Sequence, residues 1–173
     1  RRRDEGSREA RVSGFARHRT SRRVIANFSG FEADLLRSLA SQLVELLRNE
    51  RAAPLETADP LEALLDFSGP TSEPEDPVLR RLFPTAYAAD PEAAAEFRRF
   101  TEGSLRDGKS AAAIAIIDGL EEAGLPPQLA EAGLVIDVEL DEPTAELWLR
   151  SFTDLRLALA TRLGVEEGDE EYW

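Results

Sequence analysis

Four arginines near the amino end, Arg17, Arg19, Arg22 and Arg23, are the residues of this sequence best suited to a recognisable chemistry. Guanidinium groups are permanent cations that fork onto phosphate or carboxylate oxygens, so a cluster this tight is a handle for nucleic acid or for an acidic partner. Residues 1–11 (RRRDEGSREAR) add to it, and residues 1–23 together hold nine Arg against three acids. From residue 24 onward 12 basic residues face 31 acidic ones, and the whole 173-residue chain has a formal charge of −13. A body this acidic repels phosphate backbones at long range, so any contact with DNA falls to the basic arm.

Chemistry of other kinds finds little support. His18 is the single histidine and stands between Arg17 and Arg19, where it reads as a surface residue. With no cysteine there is no thiol nucleophile, disulfide or Cys-based zinc site. No glycine-rich phosphate loop, metal-ligand spacing or nucleophile motif is present. Glu121 with Glu122, and Glu166 with Glu167, are neighbours on a helix end and a tail. They read as solvated charges, since a catalytic acid and base must converge in a pocket. No catalytic, cofactor-binding or metal-ligating residue is therefore expected, and no small-molecule substrate. The chain also lacks methionine, so its numbering does not begin at a start codon. No stretch is apolar enough to span a membrane, and the Arg-rich start lacks the apolar core of a secretory signal, so a cytoplasmic protein is expected.

The arm has to be held by something, and the longest organised stretch is residues 141–164. Asp141 can cap orphan amides, Pro143 fits a first helical turn, and Gly164 can take a left-handed cap. Between them Ala145, Trp148, Phe152, Leu155, Leu159 and Leu163 recur at steps of three and four, one apolar stripe for a core or a dimer seam. Glu146 and Arg150 can pair across a turn. The SGFE run at Ser29–Glu32 is a capping box opening a helix to about residue 51, with Phe31, Leu35, Leu39, Leu43 and Leu46 on one face. Asp59-Pro60, Asp76-Pro77 and Asp90-Pro91 each signal a helix start. The third opens a tract over residues 91–124 with Phe97, Phe100, Ile114 and Ile117 on its buried side; glycine weakens a helix, so a bend or break is expected near Gly103–Gly108, or else another backbone packed closely against those glycines. Arg80-Arg81 and Arg98-Arg99 read as surface ion pairs, and Glu102 can pair with Arg106. Residues 12–28 form a hairpin, and residues 134–140 (LVIDVEL) alternate as a half-buried strand that pairs with RVIANF at residues 23–28.

Two segments, RLFPTAYAADPEAAAEFRRFTEGSL at residues 81–105 and DEPTAELWLRSFTDLRLALATRLGV at residues 141–165, resemble the actinobacterial family named for the oxidative-stress regulator AosR, formerly catalogued as a domain of unknown function. Residues 24–47 are similar too. The resemblance implies a cytoplasmic transcriptional regulator of the oxidative-stress response acting with a sigma factor or RNA polymerase. Members thought to sense oxidant through a cysteine pair have no counterpart here, because this chain has no cysteine.

The expected fold is α+β and mostly helical: a helical bundle with a small antiparallel sheet made by the N-terminal hairpin and one late strand. Residues 1–11 are a disordered basic arm, residues 12–165 a single domain, and residues 166–173 an acidic tail. Trp148, Phe152, Leu155, Leu39, Leu43, Phe97 and Ile114 should be core. A helix-turn-helix can be drawn from Pro77 through Pro91, yet its second helix opens PEAAAE, placing Glu92 and Glu96 toward phosphate. Two functional readings stand. One is a transcription-associated regulator reaching DNA through Arg17, Arg19, Arg22 and Arg23. The other is a non-catalytic helical protein-binding module, compatible with a homodimer, that touches no DNA.

Overall fold

The computed structural model describes residues 14–17, 23–49 and 69–165. His18, Arg19, Arg22, the arm, the Asp59-Pro60 helix start and the acidic tail lie outside them. The described residues form an α+β fold dominated by helix. Strand β1 (Gly14–Arg17) and β2 (Val24–Ser29) pair antiparallel, and β3 (Val135–Leu140) pairs with the other side of β2. In register, Phe15 faces Ala26, which faces Val138, while Val24 faces Leu140. Alternation along β3 buries Ile136, Val138 and Leu140 and turns Val135, Asp137 and Glu139 outward, as a sheet covered on one face requires.

The described residues hold four helices, α1 (Gly30–Asn49), α2 (Pro77–Leu82), α3 (Pro91–Glu122) and α4 (Glu142–Leu163), of which α1, α3 and α4 meet that face. Their starts are local chemistry. Ser29 and Glu32 exchange hydrogen bonds as a capping box, and Gly30 donates its N–H to the Leu134 carbonyl, so β2 passes into α1 without a loop. A Cβ at position 30 would come within 2.7 Å of the Ala130 Cβ, so a larger residue there would collide with the segment leading into β3. Asp76, Asp90 and Asp141 cap α2, α3 and α4, each followed by proline in the first turn, and Gly164 closes α4 at φ 68°. Helix α3 is central and packs on both α1 and α4, while α2 lies against α4.

Several expectations change. The buried face of α1 carries Ala33, Leu36, Ala40, Leu43, Val44 and Leu47, and leaves Phe31 and Leu35 exposed. The alanines are the reason: with no exposed area at Ala33 and Ala40, small side chains let neighbouring elements approach closely where leucines would not fit. Helix α3 runs without a break through Gly103 and Gly108, and both face open space, so no other backbone packs closely against them. Phe97 is 43% exposed and packs edge-on to Tyr87 instead of entering the core. Its place is taken by Arg98, which is buried and not a surface residue. On α4, Trp148 and Leu155 are buried, Phe152 is half-buried and Leu159 is 38% exposed, so the stripe goes from core to surface along the helix. Residues 83–90 separate α2 from α3, longer than the short turn of a helix-turn-helix.

Candidate functional site

An apolar groove opens where the first three turns of α4 meet the β1 edge of the sheet. Its volume is about 610 Å³, and it is walled by Ala145, Leu149 and Phe152 of α4 on one side and Phe15 of β1 on the other. Val24, Leu140 and Trp148 form its floor. The register explains the convergence: Phe15, Val24 and Leu140 all project from the helix-covered face of the sheet. Four rings brace one another there. Phe15 meets Phe28 at 5.9 Å and Phe152 at 5.7 Å, both edge-on, and Trp148 lies 6.2 Å from Phe28 and 6.1 Å from Phe152. Such offset and edge contacts add to burial and hold the rings in place. Trp148 is further fixed from behind, donating its indole N–H to the Ala115 carbonyl at 3.0 Å and pressing on Gly119 of α3.

The groove is not sealed. Phe15 is 53% exposed and Leu149 71% exposed. Its rim is acidic, formed by Glu142 and Glu146 one turn apart on α4. Glu146 reaches Arg150 at 3.7 Å with both side chains well exposed, a pair of little energetic weight.

A second polar hollow, beside the groove, is lined by Arg23, Glu122, Asp137, Glu139, Asp141 and Thr144. Most of its charges are occupied structurally. Arg23 pairs with Glu139 at 3.2 Å, Asn27 donates to Asp137, and Asp141 caps α4. Hydrogen bonds from the Thr144 hydroxyl and amide, outweighing partial desolvation and helped by Arg23, hold the Asp141 carboxyl below its ordinary value, the opposite of what a general acid needs. Among the described residues no group of three or more His, Asp or Glu is placed to hold a metal ion. None of their helices is long and apolar enough to cross a membrane.

Of the arginines singled out in the sequence, Arg17 ends β1 opposite Val24, and Arg23 is engaged by the protein's own Glu139. Arg19 and Arg22 fall in the stretch between β1 and β2 outside the described residues. Trp148 and Phe152 enter the groove, Leu155 joins the core, and Leu159 lines a separate shallow hollow against α1.

The other polar constellation sits inside the bundle. Glu102, 2% exposed, takes Arg98 on one carboxylate oxygen at 2.6 Å and Arg106 on the other at 2.6 and 2.8 Å. Arg98 also donates to the Phe83 carbonyl, and Arg106 to the Leu47 carbonyl near the end of α1, with its guanidinium 4.8 Å from the centre of the Phe83 ring. Lys109 of α3 meets Asp154 of α4 at 2.6 Å. These charges tie α3 to α1, α4 and the segment after α2. The four-residue spacing of 98, 102 and 106 was visible in the sequence, but nothing there marked that side of α3 as the inner one.

Residues 12–172 match the family described as Domain of unknown function (DUF2017). A Mycobacterium leprae protein that carries the AosR name is 33% identical over 150 residues, 78% of this chain and 63% of that protein. The oxidative stress regulators AosR of Mycobacterium bovis and Mycobacterium tuberculosis are each 30% identical over 148 residues, again 78% of this chain and 62% of theirs. The chain thus spans less than two thirds of the length of the curated relatives it matches. No solved structure matches it. With a family match that runs over residues 12–172, through the helices and the three-stranded sheet alike, the chain belongs to the DUF2017 family and is similar to the AosR oxidative stress regulators.

Proposed function

We propose that this protein is a non-catalytic regulator in the oxidative-stress response that works by binding another protein, a sigma factor or RNA polymerase, through the groove between α4 and β1. The observation that carries this reading is the groove itself: a braced aromatic floor left open to solvent in a chain whose other described polar clusters are occupied in holding the fold. Rigid aromatic anchors in a concave apolar site are what protein recognition uses. The names of the relatives support the stress-response role. With no cysteine among its 173 residues, this stretch of chain supplies no thiol for sensing oxidant. The DNA reading is weaker, because the body is acidic and repels phosphate.

The test uses purified sigma factors and RNA polymerase from the same organism, titrated against the full chain, a Leu149→Glu variant and an Arg17→Ser/Arg19→Ser/Arg22→Ser variant. Binding that survives the arginine changes and is lost with Leu149→Glu supports the proposal. Tight DNA binding with a steep salt dependence, abolished by the arginine changes, would replace it with the DNA reading.

A further inference from the structure

We infer that the occupant of the groove is a single amphipathic helix from a partner protein, with its apolar stripe against the aromatic floor and lysines or arginines one turn apart facing Glu142 and Glu146. This inference rests on the groove being the functional site, as proposed above, and adds the chemistry of what it holds. The sheet-side lining residues all point into the layer that the helices occupy, and none marks the plane of the sheet. A further strand would extend β1 sideways and leave the groove empty, whereas a helix laid beside α4 would complete the helical layer. On α4 the lining runs from Glu142 to Phe152, about 15 Å or three turns, enough to seat three turns of a second helix.

The charge pattern narrows the partner. Glu142 and Glu146 repeat at the helical turn along the outer rim, so basic residues at the same spacing on the incoming helix would meet both. Segments of this chain outside the described residues are poor occupants. Residues 1–13 offer only Ala10 and Val12 as apolar groups and residues 18–22 offer none, so neither supplies an apolar stripe. Residues 166–173 hold five acids in eight residues, which the glutamates of the rim repel. Residues 50–68 start after Asn49 and rejoin at Gly69, which packs on the Arg99 backbone toward the opposite end of α3 from Gly119 and Trp148. A second copy docked groove to groove would set the rim glutamates of the two copies against each other.

Three synthetic helical peptides test this by fluorescence anisotropy with the full chain: an apolar stripe flanked by lysines, the same stripe flanked by glutamates, and a polar stripe flanked by lysines. The first should bind about tenfold more tightly than the second, the gap expected when two rim ion pairs become two repulsions, and should narrow that lead at high salt. Leu149→Glu should abolish the first interaction while leaving the thermal melt in place, since that side chain is mostly in water. Glu142→Lys/Glu146→Lys should invert the preference between the first two peptides. Equal binding of the two apolar peptides, preference for the polar one, or no binding overturns the inference. So does self-association of the chain that Leu149→Glu dissolves, which would give the groove to a second copy. Peptide binding without any sigma factor or polymerase binding would instead leave this inference standing and remove the transcription reading.

Discussion

Glu102→Ala should be among the most damaging single substitutions in this protein. The side chain is buried and accepts three hydrogen bonds from two guanidinium groups that are themselves buried. Truncating it leaves two cations with one backbone carbonyl each, Phe83 for Arg98 and Leu47 for Arg106, and no counter-charge between them. Breaking a buried pair in this way costs about 3–5 kcal/mol. For a chain of this size each kcal/mol lowers the melting temperature by about 2–4 °C, so a loss of roughly 6–20 °C is expected. Thermal melts followed by circular dichroism measure it, and high salt should leave the loss nearly unchanged because buried charges are poorly screened. The sharper comparison is Arg98→Met/Glu102→Leu/Arg106→Met, which removes every charge at once. It should be more stable than Glu102→Ala alone, despite three changes against one, because no uncompensated ion remains. A single-variant cost below about 1 kcal/mol, the range of an exposed pair, or a triple variant less stable than the single one, would refute this electrostatic account.

The glycines of α3 should split by what faces them. Gly103→Ala and Gly108→Ala meet open space and should each stabilise by about 0.5–1 kcal/mol, as a helix interior favours alanine. Gly119→Ala would push a Cβ to 2.9 Å from the Trp148 ring and should destabilise by about 1–3 kcal/mol; thermal melts of the three variants check the contrast. A pH series tests Asp76. Burial raises its carboxyl, but hydrogen bonds from Arg162 and the Val78 amide, with the Arg162 charge, outweigh that and leave it below the ordinary 3.8. A depressed carboxyl stabilises the fold above that ordinary value, and the contribution disappears as pH falls through the lowered one. The stability gap between the natural protein and Asp76→Asn should therefore be constant from pH 5 to 7 and close as the pH is lowered below about 3.8; a gap independent of pH down to 2 would contradict it.

What the sequence disclosed was what short-range chemistry dictates. The Asp76-Pro77 and Asp90-Pro91 helix starts, the Ser29–Glu32 box, the Gly164 cap and the alternation in β3 are each contained within a few residues, and each is present. The faces of helices were harder. Helix α1 has leucine around much of its circumference, so periodicity could not choose between the side with Phe31 and the side with Ala33 and Ala40. On α3 the choice went against hydrophobicity, with Phe97 outside and Arg98 inside, because a carboxylate shared by two arginines made the charged side the one that could be closed. Trp148 and Phe152 were readable as part of a ridge. Their union with Phe15 into a groove depends on a strand pairing and a helix packing far apart in sequence, and only the assembled fold brings them together.

The pairing of β2 with β3 joins Val24 to Leu140, and three of the four described helices are threaded between them. During synthesis β2 therefore leaves the ribosome long before its partner strand exists, and α1, α2 and α3 must gather without a finished sheet to pack on. Contacts this distant slow the final closure. Until β3 arrives, the apolar side of β2 is exposed, and the nascent chain depends on chaperones or on the helices alone to keep that surface from sticking to other chains.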